Sequence, residues 1–115
     1  MAFSELDLKR IDASAGDLCR RLNVKSLPHK IRYLCEVEGH AVTLWEERPA
    51  WNDPKSLTKQ GIARFRYWKS RSTWQLFWMR RDLKWHAYDP EVSFAKTISP
   101  LVKVVEADKW SAFFG

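Results

Sequence analysis

The chain has little of what most enzyme signatures need. It holds two cysteines, Cys19 and Cys35, in 115 residues, with no CxxC spacing and no histidine partner at a readable distance along the chain. That leaves a structural zinc site or a thiol nucleophile without support, and two free thiols are the ordinary state of a cytosolic protein. The four glycines lie far apart, so no glycine-rich phosphate loop can form. No HxxxH pair is present, and no metal or other cofactor is expected. No apolar run approaches the length of a membrane span. Ser4, Glu5 and Asp7 stand where a secretory signal would place basic and then apolar residues, so we expect a cytoplasmic protein. Repeats and low-complexity stretches are also missing.

What is present is tryptophan and positive charge. Seven residues are Trp, 14% of the chain is aromatic and 45% is hydrophobic, and the formal net charge is +6. A chain of this length fits one domain, residues 1–115, with a core of ordinary size. Tryptophan is bulky and its indole N–H needs a partner when buried, so some of the seven are expected at a surface or groove. The charge is uneven. Lys55, Lys59, Arg64, Arg66, Lys69, Arg71, Arg80, Arg81 and Lys84 fall in one stretch, opposed only by Asp82. Such a field attracts nucleic acid, acidic proteins or anionic lipid, or it simply solvates one face.

Residues 4–23 read as an amphipathic helix. Ser4 caps it, Glu5 and Asp7 suit its positive end, and Leu8, Ile11, Ala15, Leu18 and Leu22 make one apolar face. Gly16 weakens the middle, and Asn23 followed by Pro28 ends it. Residues 31–48 read as a β-hairpin with Gly39-His40 as the turn. Pairing Glu38 with Ala41 brings Val37 to Val42 and Cys35 to Leu44. The stretch from Pro49 to Gly61 reads as a loop, with Trp51 folded back on the core as an anchor. Three strands follow as a meander at 62–69, 74–80 and 83–88, with a two-residue turn at Arg81-Asp82. Lys69 is then expected opposite Trp74, and Arg80 opposite Leu83. One face carries Ala63, Phe65, Tyr67, Leu76, Trp78, Trp85 and Ala87. The other carries Arg64, Arg66, Trp68, Gln75, Phe77, Met79, Lys84, His86 and Tyr88. Asp89-Pro90 ends the sheet, and Ser99 with Pro100 starts a short C-terminal helix. Trp110, Phe113 and Phe114 are expected to pack the chain end down. The fold class is therefore α+β: an N-terminal helix, about five antiparallel strands and a short C-terminal helix.

Several segments resemble a bacterial family described as a domain of unknown function, number 3024. They are Glu38-Gly39, Trp45-Glu46-Glu47-Arg48-Pro49, Ala63-Arg64-Phe65-Arg66-Tyr67, Trp74, and the long run Trp78-Met79-Arg80-Arg81-Asp82-Leu83-Lys84-Trp85-His86-Ala87-Tyr88, with Phe113-Phe114-Gly115 at the end. The resemblance covers roughly residues 30–115 and leaves out the N-terminal helix. It implies a bacterial protein and brings no activity, substrate or cofactor.

The chemistry the residues suggest lies on the mixed basic and aromatic face. Single-stranded nucleic acid is held by stacking bases on rings while cations track the phosphates. Trp68, Phe77 and Tyr88 are the candidate platforms, with Arg64, Arg66, Arg81 and Lys84 as the phosphate contacts and His86 among them. No RNA-binding signature accompanies them, and the sequence leaves open which face the helices cover. The same face could meet an acidic protein, since Trp and Arg dominate interface hot spots. A third reading is a metal-dependent nuclease. Asp82-Leu83-Lys84 has an acidic-x-Lys spacing, with Glu36, Glu38, Glu46 and Glu47 as candidate further ligands. Against it, an Asp in a tight turn usually bonds its own backbone. His86, among cations and with no carboxylate partner evident, reads as a neutral structural residue; His29 and His40 read as surface groups.

Overall fold

Ser4 opens the helical layer as expected. Its hydroxyl accepts the Asp7 amide at 3.1 Å, and the Asp7 carboxylate accepts the Ser4 amide at 3.2 Å. This reciprocal pair satisfies two N–H groups that a helix start leaves open. The computed structural model describes residues 3–26, 31–108 and 112–114. The expectations resting on Pro28, His29, Trp110 and Gly115 lie outside the described residues. Helix α1 spans Glu5–Ile11 and α2 spans Asp17–Ser26, joined by a π-helical turn at Asp12–Gly16. The wider turn rotates the apolar face. Ile11, Ala15, Leu18 and Cys19 are buried and Leu22 packs against them, while Leu8 is left 39% exposed and drops out of the stripe. Asn23 does not stop the helix. Its side-chain amide is engaged with the backbone of Tyr33 on the first strand, and the helix runs on to Ser26.

The sheet is antiparallel and its strands are β1 (Arg32–Glu38), β2 (Ala41–Ala50), β3 (Asp53–Trp68), β4 (Thr73–Met79), β5 (Trp85–Ala87) and β6 (Phe94–Ala95). They lie in the order β1-β2-β3-β4-β5, with β6 also paired to β4. Strand β1 (Arg32–Glu38) and β2 (Ala41–Ala50) form the expected hairpin in the expected register, Glu38 opposite Ala41 and Cys35 opposite Leu44. Gly39 takes φ +57° in the turn, a conformation that favours glycine.

The stretch from Pro49 to Gly61 is not a loop. Strand β3 runs Asp53–Trp68, so β2 and β3 continue as a ribbon well past the first hairpin. β1 stops pairing with β2 at Glu47, and β4 begins pairing with β3 only at Ala63. The ribbon therefore projects with neither neighbour beside it. Turn residues misled the reading because they serve bulges here: the pairing shifts between Pro49 and Ala50. The Asp53 carboxylate accepts the Lys55 amide and the Ser56 hydroxyl, tying the extra residues down. Trp51 lies at the ribbon tip, 95% exposed, and is not an anchor.

Strand β4 (Thr73–Met79) pairs with β3 so that Tyr67 faces Trp74, two residues from the expected register. A shift of two keeps every side chain on its face. The β4–β5 turn matters more. Strand β5 (Trp85–Ala87) pairs Met79 with Trp85 and Phe77 with Ala87. The loop holds three residues, 81–83, closed by the Leu83 amide on the Arg80 carbonyl and the Arg80 amide on the Lys84 carbonyl. Leu83 takes φ +62° at the left-handed position of such a loop. The extra residue moves the register by one and turns β5 over. Trp85 and Ala87 join Arg64 and Phe77, while His86 and Tyr88 go to the other face.

Asp89-Pro90 does not end the sheet either, since β6 (Phe94–Ala95) pairs with β4 at Trp74 and Gln75. Helix α3 spans Ser99–Ala107, capped one residue earlier than expected, at Ile98. Asp108 ends it in the left-handed region, and its carboxylate accepts the Phe113 and Phe114 amides at 2.9 Å each. Phe113 is buried against Tyr88 and Phe114 meets Tyr33 edge-on, so the chain end packs down as expected.

The core lies on one side of the sheet. Val42, Leu44, Ala63, Phe65, Trp74, Leu76 and Tyr88 meet Ile11, Leu18, Leu101, Val102 and Val105 from the helices. Cys19 and Cys35 are free thiols in or beside it. Among the described residues no helix is long and apolar enough to cross a membrane.

Candidate functional site

With the helices on the Phe65 side, the opposite sheet face carries Arg64, Arg66, Trp68, Phe77 and Met79, as their alternation requires. Pairing lays them out in rows. Thr43, Arg64, Phe77 and Ala87 form one row across β2 to β5, with Glu36 at its β1 end. Ala41, Arg66 and Gln75 form the next, with Glu38 at its end. Positive charge thus follows β3, and negative charge lines the β1 edge. Lys69 and Arg71, both exposed, extend the cationic line past Trp68.

Arg66 and Trp68 are the best-defined pair. The guanidinium lies over the indole, 4.0 Å from the ring centroid, and the indole N–H donates to Gln75 Oε1 at 2.9 Å. The hydrogen bond fixes the ring plane and the cation covers it. Trp68 is half-buried, whereas Arg66 is exposed.

A second aromatic group sits further along the same face, and the sequence reading missed it. Trp45 and Trp85 meet edge to face with centroids 6.2 Å apart. Lys59 lies 4.7 Å from the Trp45 ring and pairs with Glu36. The Trp45 indole N–H is buried with no hydrogen-bond partner among the described residues. The two-residue turn expected at Arg81-Asp82 puts Trp85 on the other face, with Phe65 and Leu76, whereas Trp85 pairs with Met79 on this one. The three-residue loop that moves it has Leu83 where glycine is usual, so its ordinary signal is lacking.

The remaining predicted residues divide. Arg81 in the β4–β5 loop and Lys84 just after it are exposed, at the end of β4 far from Trp68. Tyr88 is buried to 6% exposure between Trp78 and Phe113, and burial raises its phenol above the ordinary value. It is a core residue and offers no stacking platform. His86 is opposite Trp78 on the core side and has a carboxylate partner after all, Asp82 at 2.8 Å. That contact, together with the Lys84 amide at 3.0 Å, holds the Asp82 carboxyl below its usual range.

Asp82 therefore bonds its own turn. The acidic candidates of the first hairpin lie across the sheet from it, and Glu46 is buried against Arg48. Among the described residues no three His, Cys, Asp or Glu side chains come together to hold a metal ion. Burial pushes the Cys19 thiol up to about 11 and the Cys35 thiol to about 12, so neither is an activated nucleophile.

These features define an α+β domain with one sheet face covered by helices and the other basic and aromatic. The chain belongs to the family described as Domain of unknown function (DUF3024), whose model matches residues 3–115. The match takes in the N-terminal helix, which the resemblance read from the sequence left out. No curated protein and no solved structure matches the chain.

Proposed function

We propose that the open sheet face is a non-catalytic binding surface for single-stranded nucleic acid. The observation that carries this reading is the Arg66–Trp68 stack, with the guanidinium 4.0 Å from the ring centroid and the Arg64–Phe77 pair two residues along β3. Two cation–ring pairs stand side by side on one face, Arg66 with Trp68 on β3 and Arg64 with Phe77 across to β4, so phosphates and bases of one extended chain have partners there. Among the described residues no helix stands out of this face to enter a duplex groove, which favours unpaired bases.

A second reading rests on the other half of the face. Trp45, Met79 and Trp85 are partly apolar and partly exposed, and such residues anchor protein partners. An acidic protein suits the same cations.

Fluorescence anisotropy with labelled single- and double-stranded DNA and RNA, over a salt series, separates the two. The expected result is micromolar binding to single strands that weakens steeply as salt rises and is lost in Arg64→Glu/Arg66→Glu. Absence of binding to every nucleic acid at low salt would reject the proposal. A pull-down with and without nuclease treatment would then test for an acidic protein.

A further inference from the structure

A cavity of about 470 Å³ opens on the helix side of the sheet, away from the basic face. Its size lies within the range of small-molecule sites. The wall is aromatic: Phe3 and Trp74 stack with centroids 5.5 Å apart and planes at 9°, and Tyr67 lies 5.2 Å from Trp74. Ile11 at the end of α1 and Ile98 just before α3 complete an apolar floor. An aromatic wall of this kind suits a flat ring.

The rim is charged. Arg10 from α1 and Lys96 from the β6–α3 connection both line the cavity, both are exposed, and neither forms an ion pair among the described residues. Asp7 is the one acid among the described residues of the rim, and its carboxylate is engaged by the Ser4 amide at 3.2 Å. Helix α3 begins beside them with no side-chain cap, so its positive end adds to the field. The balance of two cations and one engaged acid fits a ligand with a single negative charge.

We propose that this cavity binds a small aromatic carboxylic acid, with its ring on the Phe3–Trp74 wall and its carboxylate at the rim shared by Arg10 and Lys96. The π-helical turn supports the geometry. It swings Ala13 and Ser14 to the cavity edge, and the Ser14 hydroxyl is tied back to the Arg10 carbonyl at 3.0 Å, leaving the space beside the aromatic wall free. The site is independent of nucleic-acid binding on the opposite face.

The test is an amide NMR titration of the full chain with indole-3-acetate and with its neutral counterpart indole-3-ethanol. Saturable shifts are expected at residues 11–14, Tyr67, Trp74 and residues 97–99. The acid should bind up to roughly tenfold more tightly than the alcohol, as two exposed ion pairs allow. Arg10→Gln/Lys96→Gln should abolish that preference while leaving the alcohol's affinity unchanged, and Arg64→Glu/Arg66→Glu should change neither. The proposal is overturned if neither compound shifts these amides, if acid and alcohol bind equally to the unaltered protein, or if the shifts gather instead around Trp45 and Trp85.

Discussion

Trp85 lies directly over Gly61: a Cβ built on Gly61 would come within 2.7 Å of the indole ring and 3.0 Å of the Met79 methyl. The missing side chain is what lets the ring come this close to β3. Gly61→Ala should therefore overpack the open face and cost about 1–3 kcal/mol. Urea unfolding measures it. Because the clash is with one ring, Trp85→Leu in the same chain should recover part of the loss, and strictly additive effects of the two changes would show that the contact is not the cause.

Arg64, Arg66, Trp68 and Phe77 could be placed from the sequence because alternation along β3 and β4 survives a register error of two. Trp85, His86 and Tyr88 could not, because one unannounced loop residue reverses a whole strand. Turn length is set by a backbone conformation, and Leu83 adopts it without the glycine that would have marked it. The ribbon bearing Trp51 was hidden for a related reason. Pro49, Asn52, Asp53 and Pro54 are ordinary loop residues, and the pairing around them became visible only in three dimensions. The choice of covered face was never in the sequence pattern, since Phe77 and Met79 made the second face nearly as apolar as the first. It followed from where the helices packed.

Arg66 and Trp68 should contribute to nucleic-acid binding in separable ways. Removing one phosphate contact lowers the magnitude of the log-affinity versus log-salt slope by about 0.7 for a single strand. Arg66→Ala should show that change. Trp68→Ala should weaken binding at every salt concentration, through lost base stacking worth about 1–3 kcal/mol, with little change of slope. Anisotropy titrations across a salt series read both quantities. Equal loss of slope in the two variants would mean that Trp68 acts only by positioning Arg66.

Asn23 holds the first strand to the helical layer. Its side chain donates to the Tyr33 carbonyl at 3.0 Å and accepts the Tyr33 amide at 2.7 Å, the two bonds a neighbouring strand would otherwise make. Asn23→Ala would leave both backbone groups partly buried and unpaired, at a cost of about 1–3 kcal/mol. Alanine is the better helix former, so propensity alone predicts the opposite sign. Thermal unfolding decides between them: a higher melting temperature would mean that water replaces the lost bonds without penalty. Amide exchange at Tyr33 should quicken if the pairing is what protects it.

The two thiols predict an alkaline weakness. Burial raises Cys35 from 9.0 to about 12 and Cys19 from 9.0 to about 11. Between pH 9 and those values the unfolded chain has lost protons that the folded chain keeps. Stability is then fully present below pH 9 and falls as pH rises toward 11 and 12, because the unfolded state gains from ionisation first. Other groups also titrate in that window, so the comparison has to be made between variants. Cys35→Ala removes the larger of the two contributions, and Cys35→Ala/Cys19→Ala removes both. Each should start less stable at pH 8, through lost packing, and then lose stability less steeply between pH 9 and 11. Parallel stability profiles for all three proteins would show that the thiols ionise as readily in the folded chain as in the unfolded one, and that their burial has no bearing on alkaline unfolding.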